Sequence, residues 1–279
     1  MLPSYRVEGM EAEAPRQAAG HPGVLLAAAD DARVVKRCPA QEAQFYEEVN
    51  MGREEAHQLM RECMPRCFGI RVDGASLSGW PPLEADAANA VLLEDLTHPF
   101  VRADVCDIKL GTLLYDERPG YTDAAKIGRM QHKARTTTSG EYGMRVAGWA
   151  TWEGEHCRSV GKEPGKAART MDDIAQLLMQ ALRTQSEVRR RAVARHLLPL
   201  VQALQARVAR VPAQLRSTSV LVVVEGDEAA LCRALDTQAK VCDVRLIDFA
   251  HSRWSPAEGP DCGIQLGLST LARVLELWT

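Results

Sequence analysis

The stretch Asp107-Ile108-Lys109-Leu110-Gly111 decides how the fold and chemistry of this sequence are interpreted. It places an acid and a base two residues apart, after an apolar lead-in and before a glycine. Side chains at positions i and i+2 of a β-strand project from the same face, so both charges are expected to point at one spot. A second acid, Asp248, ends another apolar stretch shortly before His251. Folding that joins two acids, a lysine and a histidine would suit the transfer of a charged group.

Composition places the chain among ordinary globular proteins. Its 279 residues are 46% hydrophobic and 25% charged, which suits one large domain or two lobes with a good core. The formal net charge of -3 gives no electrostatic support for nucleic-acid binding. The arginines of a predicted helix over 188–211 are interpreted as a solvated face. We therefore expect no nucleic-acid partner.

Targeting signals and cysteine usage indicate the compartment. No apolar run approaches the length of a membrane span, and the first residues lack a signal-peptide core. The eight cysteines include one close pair, Cys63 and Cys67, and no second pair that would complete a zinc site. The sequence therefore predicts reduced thiols in a cytoplasmic or nuclear protein.

Hydrophobic periodicity predicts an α+β chain with two lobes. Apolar runs between residues 24 and 36 predict a hairpin. Residues 41–61 predict one helix, and residues 90–93 predict a buried strand. These elements predict a small amino-terminal lobe over residues 1–95. Residues 96–279 are expected to form a larger carboxy-terminal lobe.

Within the larger lobe, two apolar segments are expected to pair and one polar segment to stay irregular. Residues 220–224 and 241–249 predict antiparallel strands connected through residues 228–240. The polar, glycine-containing segment 156–168 predicts a surface loop, and residues 136–140 a turn.

Common nucleotide-binding and hydrolase motifs do not occur in the sequence. The run Gly161-Lys162-Glu163-Pro164-Gly165-Lys166 superficially resembles a phosphate-binding P-loop. It is one residue short between the glycines and lacks the Ser or Thr that would hold magnesium. Neither Gly-x-Gly-x-x-Gly nor Gly-x-Ser-x-Gly is present, so a dinucleotide site and a hydrolase elbow are unsupported.

A kinase-like arrangement of short signals remains. Lys36 on an early strand can neutralise nucleotide phosphates, the strand end at Glu94-Asp95-Leu96 can bind a purine as a hinge, and Asp248-Phe249 can hold magnesium. Phosphoryl transfer requires a protein mainly to position groups and to stabilise charge. Each signal also has a plain structural explanation, with Lys36 as a surface lysine and Asp248 as the cap of a turn.

Several segments, in the right order, resemble the inositol polyphosphate kinase family. Asp107-x-Lys109-x-Gly111 matches the core of the family's Pro-x-x-x-Asp-x-Lys-x-Gly signature, with Ala103 in place of the proline. Val224 and Ile264 stand where the family has tyrosine. The other similar segments are Gln17-Ala18-Ala19-Gly20-His21, Glu42-x-x-Phe45-Tyr46, Leu93-Glu94-Asp95-Leu96-Thr97, Ser219 to Gly226, Ile247-Asp248-Phe249-Ala250-His251-Ser252 and Asp261-x-Gly263. The resemblance therefore covers nearly the whole chain.

Within this family the chain looks most like the inositol polyphosphate multikinases, particularly the fungal type. The resemblance is carried by residues 107–116 and by Thr136-Thr137-Thr138-Ser139-Gly140. The short link from Asp116 to Tyr142 leaves no room for the larger substrate-binding insert of the trisphosphate 3-kinases. The hexakisphosphate kinases also bind substrate with a short helix and stay the nearest alternative.

The resemblance implies a two-lobed fold, similar to protein kinases and ATP-grasp proteins, with antiparallel sheets flanked by helices. ATP and Mg²⁺ are the implied cofactors. Lys36 is expected to contact the ATP phosphates, and the backbone of Glu94 and Leu96 to hold adenine. Either Asp95 or Asp107 takes the ribose hydroxyls.

The implied catalytic residues are Lys109, Asp107 and Asp248. Asp248 coordinates Mg²⁺, and Lys109 lies between nucleotide and inositol, where it can stabilise the transferring phosphoryl group. The resemblance leaves open whether Asp107 is also a general base. His251 is expected to touch the attacking hydroxyl or a substrate phosphate.

A basic helix is the expected substrate site. Residues 124–133 predict a helix on which Lys126, Arg129 and Lys133 share one face. Inositol phosphates are dense polyanions, so several cations on one helical face suit them. A solvated basic face is the structural alternative.

Together these residues predict an ATP-dependent inositol polyphosphate multikinase that transfers the γ-phosphate to hydroxyls of inositol tris- and tetrakisphosphates. The alternatives are a hexakisphosphate kinase that makes pyrophosphates and a non-catalytic regulatory scaffold with the kinase fold. Phosphatidylinositol bisphosphate stays open as a lipid substrate. The sequence does not predict protein partners.

Overall fold

The computed structural model describes residues 24–28, 32–72 and 89–279. The segment similar to the family's amino-terminal motif, residues 17–21, lies outside the described residues.

The described residues form strands and helices in alternating groups. The strands are β1 (Leu25–Ala27), β2 (Arg33–Arg37), β3 (Cys67–Arg71), β4 (Ala90–Glu94), β5 (Ala103–Leu110), β6 (Met144–Glu153), β7 (His156–Val160), β8 (Ala213–Arg216), β9 (Ser219–Glu225), β10 (Cys242–Ile247) and β11 (His251–Trp254). The helices are α1 (Ala40–Met51), α2 (Glu55–Cys63), α3 (Ala124–Arg135), α4 (Thr138–Tyr142), α5 (Glu163–Ala167), α6 (Met171–Ala181), α7 (Glu187–Val208), α8 (Glu228–Thr237) and α9 (Cys262–Glu276).

The strands build two antiparallel sheets and a ribbon. The first sheet has the order β1-β2-β4-β3, and the second has the order β10-β9-β5-β6-β7. Strands β8 and β11 pair antiparallel as a separate ribbon. Helices flank these sheets, so the predicted α+β class with antiparallel sheets is confirmed. The predicted pairing of β9 with β10 is also confirmed, with α8 in the connection.

Three local predictions were wrong. The single helix over 41–61 is two helices, α1 and α2, because Gly52 is extended and a side chain there would collide with the His57 ring. Residues 156–168 contain β7 and α5, since an edge strand with exposed side chains keeps a polar sequence. The predicted turn at 136–140 runs into the short helix α4.

The central strand β5 separates the main core from a polar surface. Cys106, Ile108 and Leu110 on one face of β5 belong to the largest apolar cluster. Asp107 and Lys109 alternate with them and project from the opposite face. Gly111 ends the strand with a φ of 96°, a conformation that glycine adopts without strain. No helix among the described residues is long and apolar enough to cross a membrane.

A register shift interrupts the pairing of β5 with β6. Asp107 lies opposite Gly148, whereas the next residue, Ile108, lies opposite Val146. One residue of β6, Ala147, is therefore extra, which is the arrangement of a β-bulge. Beyond the bulge, Lys109 lies opposite Arg145.

Candidate active site

Two lysines from separate sheets bind one carboxylate. Lys36 Nζ on β2 donates to Asp248 Oδ1 at 2.7 Å, and Lys109 Nζ on β5 donates to Asp248 Oδ2 at 2.5 Å. Lys36 Nζ also donates to Glu42 Oε1 on α1 at 2.6 Å. The structure therefore brings together the three charged residues that the sequence assigned to nucleotide, metal and phosphoryl group.

The turn that carries Asp248 is fixed by its neighbour. Phe249 is fully buried, stacks on Phe45 with ring centroids 4.9 Å apart, and contacts the Tyr46 ring edge-on at 5.5 Å. Its backbone N–H donates to Glu42 Oε1 at 3.2 Å. Asp248 itself has a φ of 66°, which is uncommon for a residue other than glycine. Such local strain is held by the surrounding packing and is frequent at functional sites.

Electrostatics keeps all three side chains charged. Burial alone would lower the pKa of Lys36, but the carboxylates of Asp248 and Glu42 outweigh it, and the pKa is raised. Burial would raise the pKa of Asp248, but Lys36 and Lys109 hold it well below its usual range. Burial likewise opposes the charge of Lys109, whose pKa is raised by Asp107 and Asp248.

Asp107 lies on the floor of this site. Its side chain is buried, and its Oδ1 atom has no hydrogen-bond partner among the described residues. Burial raises the pKa of the Asp107 carboxyl, and the ammonium of Lys109 acts against that shift. Arg145 on β6 is also buried and acts on Asp107 electrostatically. Asp107 thus lies within the cationic centre.

The predicted hinge follows β4. The Glu94 N–H donates to the carbonyl oxygen of Arg66 at 2.9 Å, so its backbone belongs to the sheet. Asp95 Oδ1 accepts hydrogen bonds from Thr97 N at 2.8 Å and Thr97 Oγ1 at 2.7 Å. Leu96 is buried in a smaller apolar cluster. The Asp95 carboxylate is already engaged in a local turn, whereas Asp107 Oδ1 accepts no hydrogen bond from the part of the chain that the structure describes.

The predicted substrate helix is α3, and it lies beside β11. Asp123 caps it by accepting from the Lys126 N–H at 2.7 Å. Lys126 Nζ lies 3.2 Å from His251 Nε2. Burial and then the neighbouring Lys126 lower the pKa of His251, so the imidazole is neutral near pH 7. Arg129 is exposed on the same helix.

A second group of cations faces the end of α3. Burial lowers the pKa of Lys133, and the positive charges of Arg145, Lys166 and Lys162 lower it further. Arg145 has two guanidinium nitrogens, Nε and Nη1, without hydrogen-bond partners among the described residues. Positive charges grouped closely enough to lower the pKa of Lys133 create a site for an anion.

Sequence reasoning missed Glu42 and Arg145 as site residues. Glu42 had a signal, because a carboxylate on the helix after a strand lysine is the ion pair that kinases use to hold that lysine. Arg145 had none, because its face of β6 depends on the bulge, which strand periodicity does not reveal. Lys162 and Lys166 were hidden in the segment predicted as a loop.

This combination of an α+β fold and a buried lysine–carboxylate–lysine centre, with the cations Lys133, Arg145, Lys162 and Lys166 beside it, defines a kinase-like protein. The sequence model of the inositol polyphosphate kinase family matches residues 90–276. The chain belongs to the inositol polyphosphate kinase family.

Similar proteins are found among curated sequences and solved structures. An inositol polyphosphate multikinase of Schizosaccharomyces pombe is 27% identical over 249 residues, covering 86% of this chain and 88% of that protein. An inositol hexakisphosphate kinase of Rattus norvegicus is 27% identical over 224 residues, but this chain spans only 51% of its length. The crystal structure of an inositol phosphate multikinase from S. cerevisiae, in complex with ADP and Mn²⁺, has a TM-score of 0.72 at 22% identity and covers 88% of this chain and 98% of that chain.

Proposed function

We propose that the chain is an ATP- and divalent-metal-dependent inositol polyphosphate multikinase. It transfers the γ-phosphoryl group of ATP to hydroxyls of inositol tris- and tetrakisphosphates. The observation that carries this proposal is the Lys36–Asp248–Lys109 centre beside the cations of α3 and β6. The similarity to a fungal multikinase over most of both chains supports the choice within the family.

In this proposal the nucleotide binds between the two sheets. Lys36, oriented by Glu42, binds the ATP phosphates, and the backbone of Glu94 and Leu96 holds adenine. Asp107 is a better candidate than Asp95 for the ribose hydroxyls, because the Asp95 carboxylate already accepts two bonds from Thr97.

Phosphoryl transfer is assigned to residues that surround Asp248. Lys109 stabilises the negative charge on the transferring group. Such charge stabilisation is the main contribution of a protein to this reaction. His251 is neutral near pH 7 and can hydrogen-bond the attacking hydroxyl or a substrate phosphate. Whether Asp107 acts as a general base stays open, as the resemblance leaves it.

The residues present fit a magnesium ion. Among the described residues there is no group of three or more His, Cys, Asp or Glu side chains that could hold a metal ion. Mg²⁺ is usually held by one or two carboxylates, with substrate phosphates and waters as the other ligands. Asp248 is the predicted ligand, and the Asp107 carboxylate lies near enough to act on it electrostatically. When bound, the ion neutralises charge on the phosphates.

The inositol phosphate is assigned to the space between α3 and β6. Lys126 and Lys133 bind its phosphates together with Arg145, whose guanidinium can contact two phosphate oxygens at once. Arg129 lies on the exposed side of α3 and is expected to contribute less. This group of cations suits a substrate with several phosphates.

Turnover of the purified chain tests the proposal. With ATP, Mg²⁺ and inositol 1,4,5-trisphosphate, we expect tetrakis- and pentakisphosphate products, separated by anion-exchange chromatography. Asp248→Asn should remove turnover, whereas Asp172→Asn, on the exposed side of α6, should not. Absence of both transfer and ATP binding would reject the kinase proposal.

Other substrates give distinguishable results in the same assay. Transfer only to inositol hexakisphosphate would identify a pyrophosphate-forming kinase, the class of a relative whose length this chain spans to only 51%. Transfer to phosphatidylinositol bisphosphate in vesicles would add a lipid substrate. ATP binding without transfer to any of these acceptors would favour a regulatory scaffold.

A further inference from the structure

Residues 111–123, which connect β5 with α3, carry two adjacent carboxylates that both bind arginines. Glu117 accepts two hydrogen bonds from Arg216, from Nε at 3.0 Å and from Nη2 at 2.6 Å. It accepts a third from Arg253 Nη2 at 3.2 Å. The bonds from Arg216 are the main cause that lowers the pKa of Glu117 to about 2, so the carboxylate is charged at neutral pH.

Asp116 stabilises the connection over residues 111–123 through hydrogen bonds within that segment. Its side chain is 1% exposed and accepts from Arg118 Nη2 at 2.6 Å and from the Arg118 N–H at 3.1 Å. Arg253 Nη1 lies 3.6 Å from its Oδ1 atom as an ion pair. The carbonyl oxygen of Asp116 accepts from Thr122 Oγ1 at 2.8 Å, close to the start of α3.

The arginines belong to the ribbon that carries His251. Arg216 on β8 lies directly opposite His251 on β11, and Arg253 follows two residues later. Arg216 Nη1 also donates to Asp261 Oδ2 at 2.5 Å, and Asp261 caps α9. The arginine side of these contacts is therefore tied to the main body of the protein.

Helix α3 lacks the apolar anchorage that normally fixes a helix. None of its described side chains is buried. Helices in proteins are usually held by packing of an apolar face rather than by their intrinsic propensity. The position of α3 relative to His251 therefore depends in part on polar contacts, among them the Thr122 bond to Asp116 and the Asp123 cap at its start.

We propose that Asp116, Glu117, Arg216 and Arg253 form a positioning clamp that holds α3 against His251. The clamp places Lys126 and Lys133 for the inositol phosphate without touching it, and it thereby sets the affinity for that substrate. This inference rests on the proposed function, in which α3 binds the substrate. Preorganised contacts matter because a displacement of about 1 Å at a substrate-positioning element can cost about a hundredfold in rate.

A substitution at Glu117 tests the clamp separately from the nucleotide site. Asp116 also accepts a bond from Gln41 Nε2 at 3.3 Å, and Gln41 precedes Glu42 on α1. Glu117 has no such contact with α1 among the described residues. A change at Glu117 therefore perturbs α3 while it leaves the pairing of Lys36 with Glu42 unchanged.

Glu117→Gln keeps the shape of the side chain and removes its charge. We expect the KM for inositol 1,4,5-trisphosphate to rise about five- to tenfold, with kcat and the KM for ATP within about twofold of the wild type. Amide hydrogen exchange in residues 124–135 should become faster, because the helix is less firmly held. The control is Glu62→Gln, which removes an exposed hydrogen bond of 2.9 Å from Arg207 Nε. It should change neither the KM for inositol 1,4,5-trisphosphate nor the hydrogen exchange of α3.

An unchanged KM, or unchanged exchange in α3, would overturn the clamp. A fall in kcat at constant KM would do the same, because it would indicate only a smaller folded fraction. The exchange measurement needs no turnover. If the wild type failed to transfer phosphate at all, the proposed function would fail while the clamp could still be tested.

Discussion

At the scale of single residues, the centre of the site places three cations against three carboxylates, because Glu42 also binds Lys36. Lys36, Lys109 and Arg145 surround the carboxylates of Asp107 and Asp248. The pKa values of both lysines are raised although their burial opposes the charge. Cations that buried carboxylates hold in place are suited to a phosphoryl group and cost no reorganisation during the reaction.

Lys109→Ala tests the role assigned to the lysine of β5. We expect kcat to fall about a thousandfold, because charge on the transferring group loses its main side-chain partner. The dissociation constant for ATP, measured by calorimetry, should stay within about threefold, since Lys36 stays in place. Lys240→Ala removes a lysine–aspartate bond of 2.6 Å elsewhere and is the matched control. Loss of ATP binding would show that Lys109 belongs to the nucleotide site.

The charged residues were more predictable than their partners. Asp107, Lys109 and Asp248 lie in short motifs at strand ends, so the sequence alone brought them to attention. The role of Glu42 could have been predicted, because its position after Lys36 follows the logic of kinase ion pairs. Arg145 could not, since one extra residue in β6 decides which face it occupies.

At the scale of elements, α7 contains a proline in its interior. Pro199 is exposed and cannot donate the backbone hydrogen bond that an interior position normally makes. The helix nevertheless continues over 22 residues, because one apolar face is buried. The buried apolar residues of that face are Val193, Ala194, Leu197, Val201, Leu204 and Val208. The apolar face whose periodicity predicts this helix therefore also stabilises it.

Pro199→Ala should stabilise the protein. A proline inside a helix costs about 3 kcal/mol relative to alanine, and partial relaxation around it leaves an expected gain of about 1–2 kcal/mol in the free energy of unfolding. Urea denaturation at pH 7 measures the difference. The neighbouring change Leu200→Ala removes a partly exposed side chain and should not stabilise. A loss of stability in Pro199→Ala would mean that the packing of α7 requires the distortion.

At the scale of the whole molecule, Asp104 joins several elements behind the large sheet. It is fully buried, accepts from the Trp152 N–H at 2.8 Å, and lies 3.5 Å from Arg189 and 3.8 Å from Arg183. Burial raises the pKa of Asp104 to about 6, and the Trp152 amide and both arginines only partly offset this. The folded protein therefore binds a proton here more tightly than the unfolded chain.

Stability should consequently fall as the pH rises through this range. The contribution of Asp104 is fully present below its unfolded pKa of 3.8 and is lost as the pH passes about 6, by up to about 3 kcal/mol. The free energy of unfolding of Asp104→Asn minus that of the wild type should therefore increase from pH 4 to pH 7. Urea titrations at both pH values measure this difference, with Asp172→Asn as the surface control. A constant difference would refute the assignment.

The bulge between β5 and β6 has a consequence for how this chain tolerates changes in length. Deleting Ala147 would restore a regular ladder that still places Arg145 opposite Lys109, whereas inserting one residue between Arg145 and Val146 would place the new residue there instead. One added residue would thus move a cation off the face of the proposed anion site, without any substitution in β5. The charge of the proposed site therefore depends partly on the number of residues in β6, and a one-residue insertion there is equivalent to a mutation of the site.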